Sequence, residues 1–333
     1  YRKAVEDLAR GSGRGETEVA RAAPALVRAD PSVEDPGHFL ISTGRPRLEG
    51  ALGYRVSVRQ HLMRAFVASA TWSYLGCIAI VTSFFLCLPL LYSTEQGLAF
   101  WLLALLAFLA FFPASEAAIA LVNRAVMEAF PPRPLPRLAL PRGVPPTLKT
   151  LVAVPTLLAN EAQVADQVRR LGIHYLANAG GRLSFAILSD WTDADAPTVA
   201  GDETLLATAR AGIDELNRLH GPAEDGEPRF SLLPRRRVWS ETEQRWIGWE
   251  RKRGKLHELN RLLRGATDTT YIASGGGVAV DGAPKGVRYV ITLDADTQLP
   301  RGAAARLVGT LAHPLNRPRL DPRERRVVEG YGV

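Results

Sequence analysis

The sequence predicts an α/β domain with a mainly parallel sheet, preceded by a transmembrane helical hairpin. Three observations carry this. Two apolar runs without any charged residue lie at 65–94 and 96–115. A Pro-rich stretch follows at 131–146. Beyond it, short apolar runs alternate with helical segments, the pattern of strands joined by crossover helices.

The chain has 333 residues, a formal net charge of +7 and 47% hydrophobic residues. At roughly 150 residues per domain, this length suggests two domains. The composition excludes a disordered chain, a collagen and a small disulfide scaffold. Cys77 and Cys87 share one apolar run, about 15 Å apart along a helix, with neither disulfide nor metal-ligand spacing. The chain starts at Tyr1 and stops at Val333, and is expected to be a piece of something longer.

Residues 1–64 are polar and mixed in charge, and read as a cytoplasmic lead-in. A helix is expected over 1–22, broken at Gly11-Ser12-Gly13. Irregular structure is expected around Pro31, Pro36 and Pro46. Residues 65–115 read as two transmembrane helices. Each run meets the roughly 20 apolar residues that a membrane-spanning helix needs. Trp72, Tyr74, Tyr92 and Trp101 stand near the ends, as interfacial aromatics do. A soluble helix of this length normally keeps a polar face. Arg55, Arg59 and Arg64 precede the runs, and Arg124, Arg133, Arg137, Arg142 and Lys149 follow them. The short loop between carries Glu95 and no cation. The positive-inside rule then places both ends in the cytoplasm, against an anionic leaflet of the lipid bilayer. The basic balance points to that bilayer and not to nucleic acid, because the cations do not interleave with aromatics on a recognisable binding module.

Residues 116–148 read as an amphipathic helix, ending near Phe130, and a stiff Pro-rich linker. In 149–333, strands are expected at 151–154, 183–188, 229–233 and 287–293. Helices are expected at 161–177, 203–219, 255–263 and 301–312.

Ligands of open α/β sheets bind at the carboxyl ends of the strands. Asp190 follows the second strand, and Asp294 and Asp296 follow the strand at 287–293. In an extended segment, positions i and i+2 face the same way, so both carboxylates can meet one ligand. A hard divalent cation, Mg²⁺ or Mn²⁺, takes such oxygens and often shares them with phosphates. It would offset the charge that builds on a departing nucleotide diphosphate. Arg251, Lys252, Arg253 and Lys255 cluster around Gly254 before a helix, a composition suited to a diphosphate. Trp246 and Trp249 can stack on sugar rings or simply pack.

The order of these residues, from Asn160-Glu161 through Asp190 and Gly254-Lys255 to Asp294-Ala295-Asp296, resembles processive membrane-bound glycosyltransferases of the cellulose-synthase type. Longer strings are similar to the bacterial cyclic β-1,2-glucan synthase family: Val154-Pro155-Thr156-Leu157-Leu158, Ile187-Leu188-Ser189-Asp190-Trp191, Arg251 to Asn260, and Leu293 to Pro300. The resemblance implies a partial GT-A domain over 149–333 that uses UDP-glucose and extends a growing glucan chain. It implies that Asp190 contacts the uracil or ribose, with Thr156 and Glu161 lining the same pocket. Lys255, with Arg253, would neutralise the diphosphate. Asp294 and Asp296 would hold donor and metal, Asp296 nearer the metal. The family's acidic general base and its Gln-x-x-Arg-Trp type motif have no match here, so the base is expected after Val333. The resemblance also implies an inner-membrane, multi-pass protein whose glycosyltransferase part is cytoplasmic, with the remaining domains on the same polypeptide. Two rivals stay open: a synthase of a different, linear β-glucan, and a non-catalytic membrane-tethered segment that binds a nucleotide sugar.

Overall fold

A computed structural model describes residues 1–132, 134–272 and 283–331. Arg133, counted above among the flanking charges, lies outside them. The chain forms two compact units, Tyr1–Pro134 and Leu135–Val333.

The first unit begins with four helices: α1 (Arg2–Ser12), α2 (Glu16–Ala29), α3 (Gly37–Ile41) and α4 (Arg45–Leu52). Leu8, Val19, Ala23, Phe39, Leu40, Leu48 and Leu52 close one apolar core between them. The break expected after α1 is present, with Gly13 left-handed at φ 73° as a helix C-cap. Irregular structure is present around Pro31, in the turn and coil between α2 and α3, but not at Pro36 and Pro46. Pro36 stands just before α3, and Pro46 lies in the first turn of α4. A helix start has no N–H to lose, so proline fits there. Glu49 is buried and receives Arg45 at 2.9 Å and Arg64 at 2.8 Å. Both contacts hold its carboxyl below the usual range despite burial.

Helix α5 (Val58–Ala68) opens with a capping box between Ser57 and Gln60. The first apolar run is then carried by α6 (Ala70–Glu95) and the second by α7 (Phe100–Ala129). The segment expected as a separate amphipathic helix is the continuation of α7, because nothing between Ser115 and Glu116 breaks the helix. At 1.5 Å per residue the two helices measure about 39 and 45 Å, against a hydrocarbon core of about 30 Å. Their buried residues are Thr82, Ala118 and Val122, while Trp72, Phe84, Leu88, Trp101 and Phe108 stand exposed. Both helices are long and apolar enough to cross a membrane. The Tyr74 hydroxyl donates to Asn123 Oδ1 at 2.7 Å and ties α6 to α7.

The second unit is mixed α/β. Its strands and helices are β1 (Thr150–Leu158), α8 (Glu161–Asn178), β2 (Leu183–Trp191), α9 (Asp202–His220), β3 (Phe230–Pro234), β4 (Val238–Ser240), β5 (Arg245–Ile247), α10 (Arg251–Leu263), β6 (Tyr289–Thr292), α11 (Ala303–Leu311), β7 (Arg319–Asp321) and β8 (Arg326–Glu329). The main sheet is parallel in the order β3-β2-β1-β6. Alternation along β1 sends Val152 and Val154 into a core with α8, α9 and α11, and Leu151 and Ala153 into a second core with α10. Both faces are therefore covered, which is why the strands read as continuous apolar runs. Two short antiparallel hairpins, β4–β5 and β7–β8, complete the unit.

The Pro-rich stretch expected as a stiff linker belongs in part to this unit. The Leu138 N–H donates to the Gly309 carbonyl at 2.9 Å, and Asn316 Nδ2 donates to the Pro136 carbonyl at 2.7 Å. A Cβ at Gly309 would stand 2.5 Å from the Leu138 carbonyl oxygen, so only glycine lets the strap lie this close to α11. Val144 is buried in the sheet core.

Candidate functional site

The chain runs from β1 outward to β3 and returns to β6 on the other side of β1. That reversal makes a topological switch point, where open α/β sheets leave a crevice beyond the carboxyl ends of their strands. A cleft of about 530 Å³ lies there. Its walls are Pro155, Thr156 and Leu157 from the end of β1, Asp190 and Trp191 from the end of β2, Asp193 beyond it, Gln163 and Gln167 from α8, Gly248, Arg251, Lys252 and Lys255 around the start of α10, and Ala295 after β6.

Beneath the cleft sits a buried charge cluster. Arg235, just past β3, is 0% exposed. Its Nε donates to Asp190 Oδ1 at 2.7 Å, its Nη2 to Asp190 Oδ2 at 2.9 Å, and its Nη1 to Glu258 Oε2 at 3.1 Å. The same guanidinium donates to the Trp249 carbonyl at 3.1 Å and the Arg251 carbonyl at 3.2 Å. Lys255 Nζ donates to the Thr156 carbonyl at 2.6 Å and stands 3.1 Å from Asp190 Oδ2. Burial lowers the Lys255 pKa, and the Asp190 carboxylate opposes that shift. Glu258 also accepts from the Thr270 backbone at 3.0 Å and from its hydroxyl, and Tyr271 donates to the Lys255 carbonyl at 2.8 Å. Two cations and two carboxylates balance, which is the condition for burying charge.

Over this floor the surface cations are also paired, but in solvent. Arg251 reaches Asp193 at 3.0 Å and Glu243 at 2.7 Å. Lys252 pairs with Asp294. Exposed pairs of this kind are worth about 0–1 kcal/mol and exchange readily for another partner.

The expected site residues divide. Thr156, Asp190 and Lys255 come together in the cleft. Asp190 lies within β2 and not after it. Lys255 is not in a turn before a helix, because α10 begins at Arg251 and takes Gly254 and Lys255 into its first turns. Gly254 is explained by packing: a Cβ there would stand 2.0 Å from the Trp249 carbonyl oxygen. Arg253 is exposed, stands outside the cleft lining and pairs with Glu250 at 3.2 Å. Arg251 and Lys252 occupy the wall instead. Glu161, at the start of α8, is exposed and absent from the lining, where Gln163 and Gln167 stand. Asp294 and Asp296 are not in an extended segment. The Thr297 N–H donates to the Asp294 carbonyl at 2.9 Å, closing a turn, and both aspartates are exposed at the cleft's β6 side around Ala295.

Sequence reasoning missed Arg235, Gly248 and Glu258. The strand-end rule that found Asp190 points equally to Arg235, the first residue after β3. Glu258 stands at i+3 from Lys255, the spacing of an ordinary helix pair, and faces Arg235 instead.

Among the described residues no group of three or more His, Cys, Asp or Glu side chains could hold a metal by itself. Asp294 and Asp296 are exposed oxygen donors on the turn after β6, of the kind a magnesium-type ion takes. Such an ion uses one or two carboxylates and completes its shell with phosphates and water.

Fold and site together define an α/β domain with a charged cleft at its switch point, on a chain that also carries an apolar helical hairpin. No family model matches the chain. It is 40% identical over 348 residues to "Cyclic beta-(1,2)-glucan synthase NdvB" of Rhizobium meliloti (strain 1021), across 100% of this chain and 12% of that protein. The resemblance drawn from the motifs thus holds over the whole chain, which corresponds to a partial region of a cyclic β-(1,2)-glucan synthase. The chain spans about one eighth of that relative's length.

Proposed function

We propose that this chain is the donor-binding part of a membrane glucosyltransferase, of GT-A type, that transfers glucose from UDP-glucose to a growing β-1,2-glucan at the inner membrane. The observation that carries the reading is the cleft itself. It sets two solvent-facing cations, Arg251 and Lys252, beside a fixed polar floor and an acidic turn, at the switch point of a parallel sheet. The relative's name supports glucan as the product.

In this reading Thr156 and the rim of Asp190 meet the nucleoside. Asp190 is locked by Arg235 and Lys255, so it offers a fixed surface and not a free charge. Arg251 and Lys252, in place of Arg253, face the diphosphate. Asp294 and Asp296 would hold Mg²⁺ or Mn²⁺, which supplies positive charge to the departing UDP. Lys252 would exchange Asp294 for phosphate at little cost, because that pair is exposed. An α-linked donor and a β product imply inversion in one displacement. The acceptor hydroxyl attacks the anomeric carbon, the bond to UDP breaks, and the hydroxyl proton passes to a base. No base is assigned among the described residues.

In the full-length synthase, Asp294→Asn or Asp296→Asn should abolish incorporation of labelled glucose from UDP-glucose into β-1,2-glucan. Undiminished incorporation in either variant removes the assignment. A linear product of another linkage would instead favour the linear-glucan rival.

A further inference from the structure

The β4–β5 hairpin stands at the rim of the cleft. The Ala194 N–H donates to the Trp246 carbonyl at 3.0 Å and the Trp246 N–H returns to the Ala194 carbonyl at 2.8 Å, next to the cleft-lining Asp193. Arg251 bridges Asp193 to Glu243 in the hairpin turn. Register places Trp239 directly opposite Trp246, hence on one face, with ring centroids 6.0 Å apart at 62°. Trp239 is 41% exposed and Trp249 is 40% exposed. Leaving two indoles in water forgoes burial worth about 25 cal/mol for each Å².

The chain holds this surface in place. Among the described residues four non-glycines have positive φ, and three of them, Gln244, Glu250 and Arg251, lie beside Trp246 and Trp249. Such backbone persists only where surroundings over-determine it, commonly at ligand sites. At Glu250 and Arg251 the buried Arg235 fixes it through the Trp249 and Arg251 carbonyls.

We propose that Trp239, Trp246 and Trp249 form a platform on which glucose residues of a β-glucan stack beside the cleft. A β-glucopyranose ring presents an apolar C–H face that fits an indole, and its equatorial hydroxyls need polar partners at the edges. Glu243 and Arg245 stand on the same hairpin. The tryptophans lie outside the cleft lining, so the platform takes a second ligand, the acceptor, and not the nucleotide. This rests on the glucan-synthase reading above.

The test uses the 333-residue chain in detergent with two probes, a linear β-1,2-linked glucan oligosaccharide followed by saturation-transfer NMR and UDP followed by calorimetry. Trp239→Ala should weaken oligosaccharide binding about tenfold, the effect of roughly one stacking contact. Trp239→Phe should recover most of it, and UDP affinity should stay within about twofold. If Trp239→Ala melts early, Trp249→Ala and Trp239→Phe carry the comparison. Oligosaccharide binding that is absent in the parent chain, or unchanged in both alanine variants, overturns the platform. Oligosaccharide binding without UDP binding sinks the donor reading and supports the platform.

Discussion

Arg235 grips both oxygens of Asp190, Nε to Oδ1 at 2.7 Å and Nη2 to Oδ2 at 2.9 Å, with both side chains buried. The pair joins the ends of β2 and β3 under the cleft floor. Deleting one partner leaves an uncompensated buried charge. Arg235→Ala should therefore cost about 3–5 kcal/mol, read as a shift of the urea midpoint by tryptophan fluorescence. Arg235→Lys should rescue little, because an ammonium cannot span Asp190, Glu258 and two carbonyls as a planar fork does. A loss below about 1 kcal/mol for the alanine variant would mean the cluster is dispensable.

Much of this was legible in the sequence, and the exceptions share a cause. The strands at β1, β2, β3 and β6 were readable because sheets covered on both faces leave unbroken apolar runs such as Leu151-Val152-Ala153-Val154. Asp190 was readable because strand ends mark sites. The pairing of Arg235 with Asp190 crosses 45 positions, and no local pattern encodes it. The same limit hid the swap of Arg253 for Arg251 and Lys252. Which of four neighbouring cations faces a cleft depends on the helix starting at Arg251, and the glycine at 254 suggested a later start. Prolines misled for a related reason. Pro36 and Pro46 punctuate helix starts, where a sequence pattern cannot tell a beginning from an interruption.

The cationic wall can be tested by contrast. Arg251→Ala and Lys252→Ala should each weaken UDP binding by roughly tenfold, the loss of one charge-assisted contact. Arg253→Ala should change it by less than about twofold, since that side chain points to Glu250. Calorimetry on the three variants checks the order. A larger effect from Arg253 would return the diphosphate to the residue that the family resemblance first suggested.

Two glycines near the site should respond differently to alanine. At Gly248 an added Cβ would stand 2.6 Å from the Asp190 carboxyl carbon, and that carboxylate is clamped by Arg235 and Lys255. Gly248→Ala should therefore disturb the cleft floor and lower UDP affinity about tenfold or more. At Gly254 the Cβ would meet a backbone carbonyl oxygen 2.0 Å away. Alanine normally favours a helix interior over glycine by about 1 kcal/mol. Gly254→Ala should nevertheless destabilise, by about 1–3 kcal/mol as an overpacked contact does. A rise in thermal midpoint for Gly254→Ala would show that Trp249 can move aside.

The acidic turn has its own support, and that support should be acid-sensitive. The Leu299 N–H donates to His174 Nδ1 at 3.4 Å, and Asn178 Nδ2 donates to the Leu299 carbonyl at 3.4 Å, so α8 holds the segment that follows Asp296. Accepting from Leu299 requires a neutral Nδ1. Burial first, and the nearby Arg170 charge second, lower the His174 pKa from its ordinary 6.5. Between that lowered value and 6.5 the unfolded chain binds more protons than the folded one. Stability therefore rises with pH across this window, is fully present above 6.5, and is lost as pH falls through the folded value. Asp202 and Asp225, both lowered from 3.8, contribute stability that is present above 3.8 and lost as pH falls through their folded values. Urea midpoints measured downward from pH 7.5 should thus fall within this window for the parent chain. His174→Gln keeps an acceptor without a titrating proton, and should flatten that part of the profile. An unchanged slope in His174→Gln would show that protonation of this imidazole does not govern the anchor of the acidic turn.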